Sequence, residues 1–320
     1  MNRLAQGREV RTRGRSPKQK ERQHLSRSLA ALPHFASISA VLLLFFLAGP
    51  KLGRAAETPL AVVDAGVEQS EDAPFAGRDY QFLPGDYLYF SFEIAGFSIR
   101  SEQRDEVHKI ALTYDVTAQD ANGIALAAPS SGEIRTEISP EDKHWMPKRR
   151  ASFLLPSFVA AGQYRVHVHV KDLVSNSDIA QDFPFRMGGT EIQPSPSISV
   201  QNFRFLRNPN DREPLEVAAY NPGDTVYTRF AMAGFKIGPQ NHYHLSYGVT
   251  VLRPDGKPYL DQPKAAELQA ASFYPAQFLP GVIDVKTTAD SARGEYVLVL
   301  TVHDLLGNTS SQIKRAFSIE

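Results

Sequence analysis

Hydrophobic and polar side chains alternate with a period of two in several stretches of the chain. In residues 164–170, a tyrosine and three valines fall on one face, while an arginine and two histidines fall on the other. Such alternation is typical of a β-strand with one buried face. The residues predicted to face inwards are Tyr164, Val166, Val168 and Val170; Tyr296, Leu298, Leu300 and Val302; Leu88, Phe90, Phe92 and Ile94; Val226, Phe230 and Met232; Ile110, Leu112, Tyr114 and Val116; and Tyr243, Leu245, Tyr247, Val249 and Val251.

The chain contains an internal repeat. Residues 84–99 match residues 222–237 at a constant offset, with Pro-Gly-Asp at the start of each and Ala-Gly-Phe near the end. Further matches follow in the same order, including Gly-x-Tyr at 162–164 and 294–296. Matches that keep their order while the offset drifts indicate a duplicated unit of about 120–130 residues that has lost a few loop residues.

The repeat divides the chain into four parts. We expect a basic and apolar N-terminal segment over 1–56, a first repeat over 57–189 and a second repeat over 198–320. Residues 190–197 lie between the repeats and are rich in Pro, Ser and other polar residues, which predicts a short extended linker.

Turn signals separate the predicted strands. The stretches 119–123 and 253–256 end in Asn-Gly and Asp-Gly, dipeptides that supply the positive φ of tight hairpin turns. Strands punctuated in this way, with no helical period, predict an all-β sandwich in each repeat rather than alternating strands and helices.

The motif Asp-Ser-Ala-Arg-Gly-Glu-Tyr at 290–296 resembles the tyrosine corner of immunoglobulin folds, in which the phenol bonds the upstream backbone. The first repeat keeps Gly-Gln-Tyr at 162–164 but lacks the Asp. Val166 and Leu298 stand where antibody domains carry a cysteine. The resemblance is therefore to cysteine-free bacterial immunoglobulin-like modules, and the Tyr-x-Pro-Gly-Asp-x-Val pattern also resembles macroglobulin-type sandwich domains. It implies a fold, and no functional residue is carried over from it.

The N-terminal segment predicts export. Residues 1–34 are basic and polar, and residues 35–49 are apolar or small throughout. As a helix, this apolar run would span about 22 Å, which is less than the roughly 30 Å of a bilayer core. The pattern favours a signal peptide cleaved after Ala55 or Ala56; the alternatives are an uncleaved anchor in the inner membrane and a buried core helix. Both signal readings place residues 57–320 outside the cytoplasm, in the periplasm or secreted.

Charge and cysteine content narrow the function classes. The formal net charge is zero, but residues 1–55 hold eleven Lys or Arg against two Glu, so the remainder is acidic. An acidic repeat pair does not favour nucleic acid, and we expect membrane contact only through the N-terminal segment. The absence of cysteine excludes disulfides, thiol catalysis, cysteine-ligated zinc and a lipoprotein anchor.

Candidate chemistry is sparse. His167 and His169 share one strand face, as do residues 242 and 244, but the two histidine pairs lie in different repeats; we interpret them as solvated side chains, with a metal site as the alternative. Asp and Asn recur in both repeats after a strand, at 172/176 and 304/308, and predict turn-stabilising side chains, with calcium as the alternative. No nucleophile, phosphate-loop or metalloprotease motif is present, so we expect neither an enzyme nor a cofactor.

Two loops break the repeat and are rich in aromatic and basic residues. They occupy 142–150 and 271–280. Aromatic and Arg side chains in loops are the usual anchors of interfaces. The alternative is that these aromatic side chains cap the ends of the cores. The candidate partner-surface residues are Trp145, Met146, Arg149, Phe273, Tyr274 and Phe278.

The sequence as a whole predicts an exported, non-enzymatic binding, adaptor or structural protein. Its partner would be another envelope or extracellular protein, or a glycan. One alternative is a carbohydrate-binding or adhesion module, which would show exposed coplanar aromatic rings on one sheet face. The other is a periplasmic chaperone or assembly factor, which would show an unpaired edge strand and a basic pair in the cleft between domains.

Overall fold

The computed structural model describes residues 58–102, 107–139, 142 and 144–320. The predicted signal segment and its cleavage site therefore lie outside the described residues. All described residues fall within one compact unit of the chain. They form seventeen β-strands, and no α-helix occurs among them.

Nine strands belong to the first repeat. They are β1 (Ala61–Glu68), β2 (Gln81–Phe82), β3 (Tyr87–Ala95), β4 (Arg100–Glu102), β5 (Val107–Gln119), β6 (Ser130–Ile138), β7 (Lys148–Leu154), β8 (Gly162–Asp172) and β9 (Asp178–Met187).

Eight strands belong to the second repeat. They are β10 (Ser199–Leu206), β11 (Ala219–Tyr220), β12 (Thr225–Ala233), β13 (Tyr243–Leu252), β14 (Pro258–Ala270), β15 (Phe278–Lys286), β16 (Gly294–Asp304) and β17 (Thr309–Ile319). A short 3₁₀ turn, Pro239–Asn241, precedes β13.

The two repeats share one sheet topology. In the first, a sheet ordered β1-β3-β7 faces a sheet ordered β2-β9-β8-β5, in which β4 and β6 also pair with β5. In the second, β10-β12-β15 faces β11-β17-β16-β13-β14. All pairs are antiparallel except the short pairs β2–β9 and β11–β17, which are parallel. The all-β prediction is confirmed, and so is the equivalence of the matched segments.

Each repeat has its own hydrophobic core between its two sheets. The predicted inward faces are confirmed: the alternating positions of β3, β8, β12, β13 and β16 are buried. Tyr114 is the exception, since it is only half-buried and its ring lies over Gly132 on the neighbouring strand β6. Gly132 leaves room for that ring, because a Cβ there would lie 2.3 Å from the Tyr114 hydroxyl oxygen.

The hydrogen bond expected of Tyr296 from the motif at 290–296 forms, and Tyr164 of the first repeat makes the same bond. The Tyr296 hydroxyl donates to the Ala292 carbonyl oxygen at 2.8 Å, and the Tyr164 hydroxyl donates to the Ala160 carbonyl oxygen at 2.9 Å. The missing aspartate of the first repeat therefore does not prevent the contact. Each bond satisfies a backbone carbonyl just before the strand that forms the centre of the larger sheet.

The glycine of each Ala-Gly-Phe motif lies against the backbone of the segment through which the chain enters the repeat. Gly96 and Gly234 have positive φ values of 68° and 75°. A Cβ on Gly96 would lie 2.1 Å from the Pro59 carbonyl oxygen, and one on Gly234 would lie 2.3 Å from that of Ser197. Glycine is needed here for both reasons, since an L side chain would be strained and would collide with backbone.

Residues 190–197, predicted to be the linker between the repeats, contain neither strand nor helix and are hydrogen-bonded to the second repeat. The Asn202 side-chain amide donates to the Glu191 carbonyl oxygen at 2.7 Å. The Gln201 side chain exchanges two hydrogen bonds with the backbone of Gln193, at 2.8 and 2.9 Å. Ile192 packs on the outer side of β12 and β15. The linker therefore restricts the freedom of one repeat relative to the other.

A buried carboxylate joins the two sheets in each repeat. Asp172, at the end of β8, accepts hydrogen bonds from the backbone of Val174 and from the Ser175 hydroxyl, at 2.8 and 2.7 Å. It also accepts one from the Ser98 backbone at 2.7 Å, just beyond β3 in the opposite sheet. Asp304 repeats the arrangement, with a bond from the Lys236 backbone at 2.8 Å. The predicted turn role is confirmed, and the cross-sheet bond adds to it.

The hydrogen bonds to Asp172 have an electrostatic consequence. Burial raises the pKa of the carboxyl, but the combined bonds from Ser98, Ser175 and Val174 favour the ionised form more strongly. The pKa of Asp172 therefore lies below its ordinary value of 3.8. A carboxyl with a lowered folded-state pKa stabilises the fold at pH values above the unfolded pKa, and this contribution is lost as the pH falls through the folded pKa.

Among the described residues, none belongs to a helix of the length and apolarity that crossing a membrane requires.

We predict that Asp172→Ala lowers the free energy of unfolding by about 2–4 kcal/mol at neutral pH, because it leaves the partly buried backbone N–H groups of Ser98 and Val174 without their acceptor. Asp172→Asn should cost less, since its amide oxygen still accepts. Urea unfolding followed by circular dichroism measures both. Asp178→Ala, which removes an exposed carboxylate on the next strand, is the control and should change little.

The same series predicts a pH dependence. The difference in stability between the native chain and Asp172→Asn should be largest above pH 3.8 and should shrink as the pH falls below that value. Repeating the urea titration at acidic pH measures it. A difference that stays constant or grows on acidification would contradict the assigned role of the ionised carboxylate.

Candidate functional site

The loop between β14 and β15 binds the end of the first repeat. Tyr274 in this loop is only 3% exposed and belongs to the hydrophobic core of the first repeat. Its hydroxyl donates to the Asp120 carboxylate at 3.1 Å. Asp120 also accepts bonds at 2.9 Å from the backbone of Asn122 and Ile124, and these fix the predicted hairpin turn. We call this loop, residues 271–277, the junction loop.

Gln277 connects the junction loop to the tyrosine corner of the first repeat. Its side-chain oxygen accepts from the Ala160 backbone at 2.6 Å and lies 3.3 Å from the Tyr164 hydroxyl. Its side-chain amide donates to the Tyr274 hydroxyl at 2.6 Å, and its backbone donates to the Phe158 carbonyl oxygen at 3.0 Å. Phe158 in turn packs against the core of the second repeat. Each repeat thus inserts an aromatic side chain against the core of the other.

The electrostatics at the junction keep both phenols protonated. Burial raises the pKa of Tyr164 to about 12; the hydrogen bond with Gln277 opposes this effect, and the Asp120 carboxylate adds a smaller increase. Burial and the same carboxylate raise the pKa of Tyr274 well above its ordinary value. Both hydroxyls therefore act as hydrogen-bond donors and have no role as bases at physiological pH.

Two of the six candidate partner-surface residues are buried by packing within the chain itself. Tyr274 is buried at the junction, and Phe278 is buried beneath the linker against Ala231 and Ala233. Phe273, by contrast, is 60% exposed at the edge of an apolar groove of about 620 Å³. Of the aromatic side chains in the second loop, only Phe273 is therefore available to an external partner.

The first aromatic loop lies at the opposite end of the first repeat. Trp145 and Met146 are 39% and 38% exposed and line a groove of about 910 Å³. The other groove walls are the segment that enters the repeat, the Gly96 bend and the turn after β8. Arg149 lies on β7 beyond the loop, is half-buried, and donates to the Lys148 carbonyl oxygen. We call Trp145, Met146 and the groove beside them the head surface.

The strand register makes the head surface equivalent to the junction loop. The backbone of Ile94 bonds to Pro147, just as Met232 pairs with Leu279. Counting back from these positions aligns Trp145 with Gln277. The junction loop of the second repeat thus docks on the first repeat, whereas the equivalent loop of the first repeat is exposed to solvent.

The histidine pairs remain on the surface. His167 and His169 each face an aspartate of β9, at 2.7 and 3.2 Å, and His244 faces Glu267 at 2.5 Å. Within the described part of the chain, no group of three His, Cys, Asp or Glu side chains is placed to hold a metal ion. These residues form separate pairs with neighbouring strands.

Comparison with known proteins adds little. No family model matches the chain, and no curated protein is significantly similar to it. Among solved structures, the C-terminal domain of the Streptococcus agalactiae antigen I/II polypeptide BspA is 12% identical, with a TM-score of 0.24 over 79% of this chain and 99% of that one. The C-terminal domain of the Streptococcus pyogenes antigen I/II-family protein AspA is 10% identical, with a TM-score of 0.27 over 79% and 98%.

A family 123 glycoside hydrolase from Clostridium perfringens is also similar, at 10% identity and a TM-score of 0.26. The match covers 39% of this chain and 27% of the hydrolase. With TM-scores this low, these likenesses support no conclusion about function.

We predict that Gln277→Ala loosens the junction, because it removes the acceptor for the Ala160 N–H and the donor to Tyr274. The free energy of unfolding should fall by about 1–3 kcal/mol. Because the chain has no cysteine, spin labels can be attached at Thr136→Cys and Ser310→Cys, one in each repeat. The measured inter-label distance distribution should broaden.

Gln312→Ala is the matched control, since Gln312 bonds Thr301 within the second repeat and not at the junction. The distance distribution should be unchanged in this variant. An equally narrow distribution in Gln277→Ala would show that the linker alone fixes the two repeats.

Proposed function

We propose that this chain is an exported, non-enzymatic binding protein built from two immunoglobulin-like domains, and that its head surface binds another folded protein. Immunoglobulin sandwiches divide their strands into A, B and E on one sheet and C, F and G on the other. The same division results when β1, β3, β5, β7, β8 and β9 are read as A, B, C, E, F and G. Tyrosine corners in both repeats support the assignment.

The observation that carries the proposal is the equivalence between the head surface and the junction loop. The junction loop already binds the end of a β-sandwich in this molecule. Its counterpart exposes Trp145 and Met146, and both residue types are enriched where proteins meet. A groove of about 910 Å³ beside them is large enough to receive a protruding loop or side chains of a partner.

The polar groups of this groove support binding rather than catalysis. Ser98 and Ser175, which line it, direct hydrogen bonds to the buried Asp172. Asp178 pairs with His169 on the neighbouring strand. These polar groups of the groove are therefore engaged in structural contacts, which supports a binding role for the groove. His144 also lines it.

The N-terminal segment supports a location for the protein and a class of partner. A signal peptide or anchor would place both repeats outside the cytoplasm, where the partner would be an envelope or extracellular protein. The interlocked junction would hold the head surface at the far end of a two-domain unit. This arrangement suits an adaptor or spacer that presents one binding surface at a fixed distance.

The chaperone alternative receives less support. It requires a basic pair in the cleft between domains. The groove of about 620 Å³ beside Phe273 lies at this junction, and among the described residues that line it there is no Lys or Arg. That groove is formed by apolar residues such as Leu126, Leu154 and Pro156.

We predict that a photo-reactive benzoylphenylalanine in place of Trp145 cross-links to a protein in the native envelope fraction. The reason is that the head surface places this side chain at the edge of the groove. Denaturing electrophoresis should show an adduct of higher mass, and mass spectrometry should identify its second component as a protein.

The control replaces Val217, which is 71% exposed in the second repeat and lies away from the head surface. No adduct should form there. Equal adducts at both positions, or none at position 145 in the whole envelope fraction, would be incompatible with a binding role for the head surface.

A further inference from the structure

The outer face of the β1-β3-β7 sheet carries two aromatic side chains that the core does not use. Tyr87 and Tyr89 lie on β3 with their side chains away from the core, and their ring centroids are 6.2 Å apart with 33° between the ring planes. Tyr87 is 55% exposed, and Leu154 opposite it on β7 is exposed as well. The two rings form a platform on the solvent side of the sheet, in which they are tilted relative to each other, Tyr87 is exposed and Tyr89 is half-buried.

A small cavity of about 250 Å³ adjoins this platform at Tyr89. Its polar walls are the side chains of Glu68, Glu71, Arg150 and Ser152. Glu68 is only 4% exposed and accepts a hydrogen bond of 2.5 Å from the Ser91 hydroxyl. A carboxylate, a guanidinium and a hydroxyl group thus surround one edge of an aromatic ring.

The second repeat shows what the fold requires at these positions. Leu206 pairs with Tyr227 as Glu68 pairs with Tyr89, and Leu206 is fully buried. Burying a carboxylate is costly unless it is well paired, whereas burying a leucine is favourable. In the second repeat the sandwich therefore forms without an acid at this position, so the fold itself does not require one.

Other residues around the cavity also differ from their counterparts in the second repeat. The second repeat has Thr225 for Tyr87, Arg229 for Ser91 and Val282 for Arg150. The second repeat keeps one ring, Tyr227, and places an Arg229–Asp284 ion pair beside it. What the first repeat adds is the second ring of Tyr87 and the buried acid Glu68, and these two together indicate a binding site.

From these contacts we infer that the outer face of β1, β3 and β7 binds a glycan made of neutral sugars. The flat apolar face of a sugar ring would stack on Tyr89 and the next ring on Tyr87. Hydroxyl groups at the ring edge would donate to Glu68 and accept from Arg150. An acidic sugar fits less well, since Glu71 and Asp72 flank the cavity and Asp72 already pairs with Arg150.

This inference adds a ligand class to the proposed binding function and is independent of the head surface. The two ideas therefore fail separately. Loss of glycan binding would leave protein capture at Trp145 intact, and the reverse holds as well.

The test uses the purified full-length chain with cellohexaose and chitohexaose as neutral probes and polygalacturonate as the acidic one. Calorimetry or affinity electrophoresis should detect binding to at least one neutral probe and none to polygalacturonate. Tyr87→Ala and Tyr89→Ala should each weaken it by about tenfold, the effect of losing one stacking contact. Glu68→Leu should abolish it while circular dichroism shows an intact fold, because the second repeat tolerates leucine there.

Tyr227→Ala, the counterpart of Tyr89→Ala in the second repeat, and Trp145→Ala should both leave glycan binding unchanged. The inference is overturned if neither neutral probe binds, if polygalacturonate binds better, or if Tyr227→Ala weakens binding as much as Tyr89→Ala does.

Discussion

The architecture depends on one interaction repeated twice: a buried carboxylate at the end of one sheet that accepts a backbone hydrogen bond from the other. Hydrophobic packing brings two sheets together without fixing their relative position, because it has no direction. Asp172 and Asp304 supply the direction at one end of each sandwich. The tyrosine corners of Tyr164 and Tyr296 fix the start of the same strand at the other end. The loops that carry candidate function are held between these two constraints.

Much of this fold could be predicted from the sequence, because its signals are local or repeated. Alternation with a period of two identified the buried faces of β3, β8 and β16, and the duplicated motifs aligned the repeats. The Asp at 172 and 304 was recognised as a turn residue. Its bond across the sandwich was not predicted, since the Ser98 donor lies 74 residues away and carries no pattern of its own.

The candidate sites were less predictable for the same reason. Composition identified both aromatic loops but could not separate exposed Trp145 and Phe273 from buried Tyr274. The contact that buries Tyr274 joins residues 154 positions apart. Glu68 carries no local signal in the sequence, because its burial depends on how the chain after β1 folds beside the sheet. Its one sequence signal is the difference between the repeats, since the counterpart of this acid is Leu206.

The short parallel pairs β2–β9 and β11–β17 have a mechanical consequence. In each repeat a strand near the beginning lies beside the final strand and runs in the same direction. Tension along the chain would pull these neighbours in opposite senses, so their hydrogen bonds would be strained together in shear and not opened one after another. A polypeptide stretched between a membrane and a distant attachment would resist extension best with its ends arranged in this way.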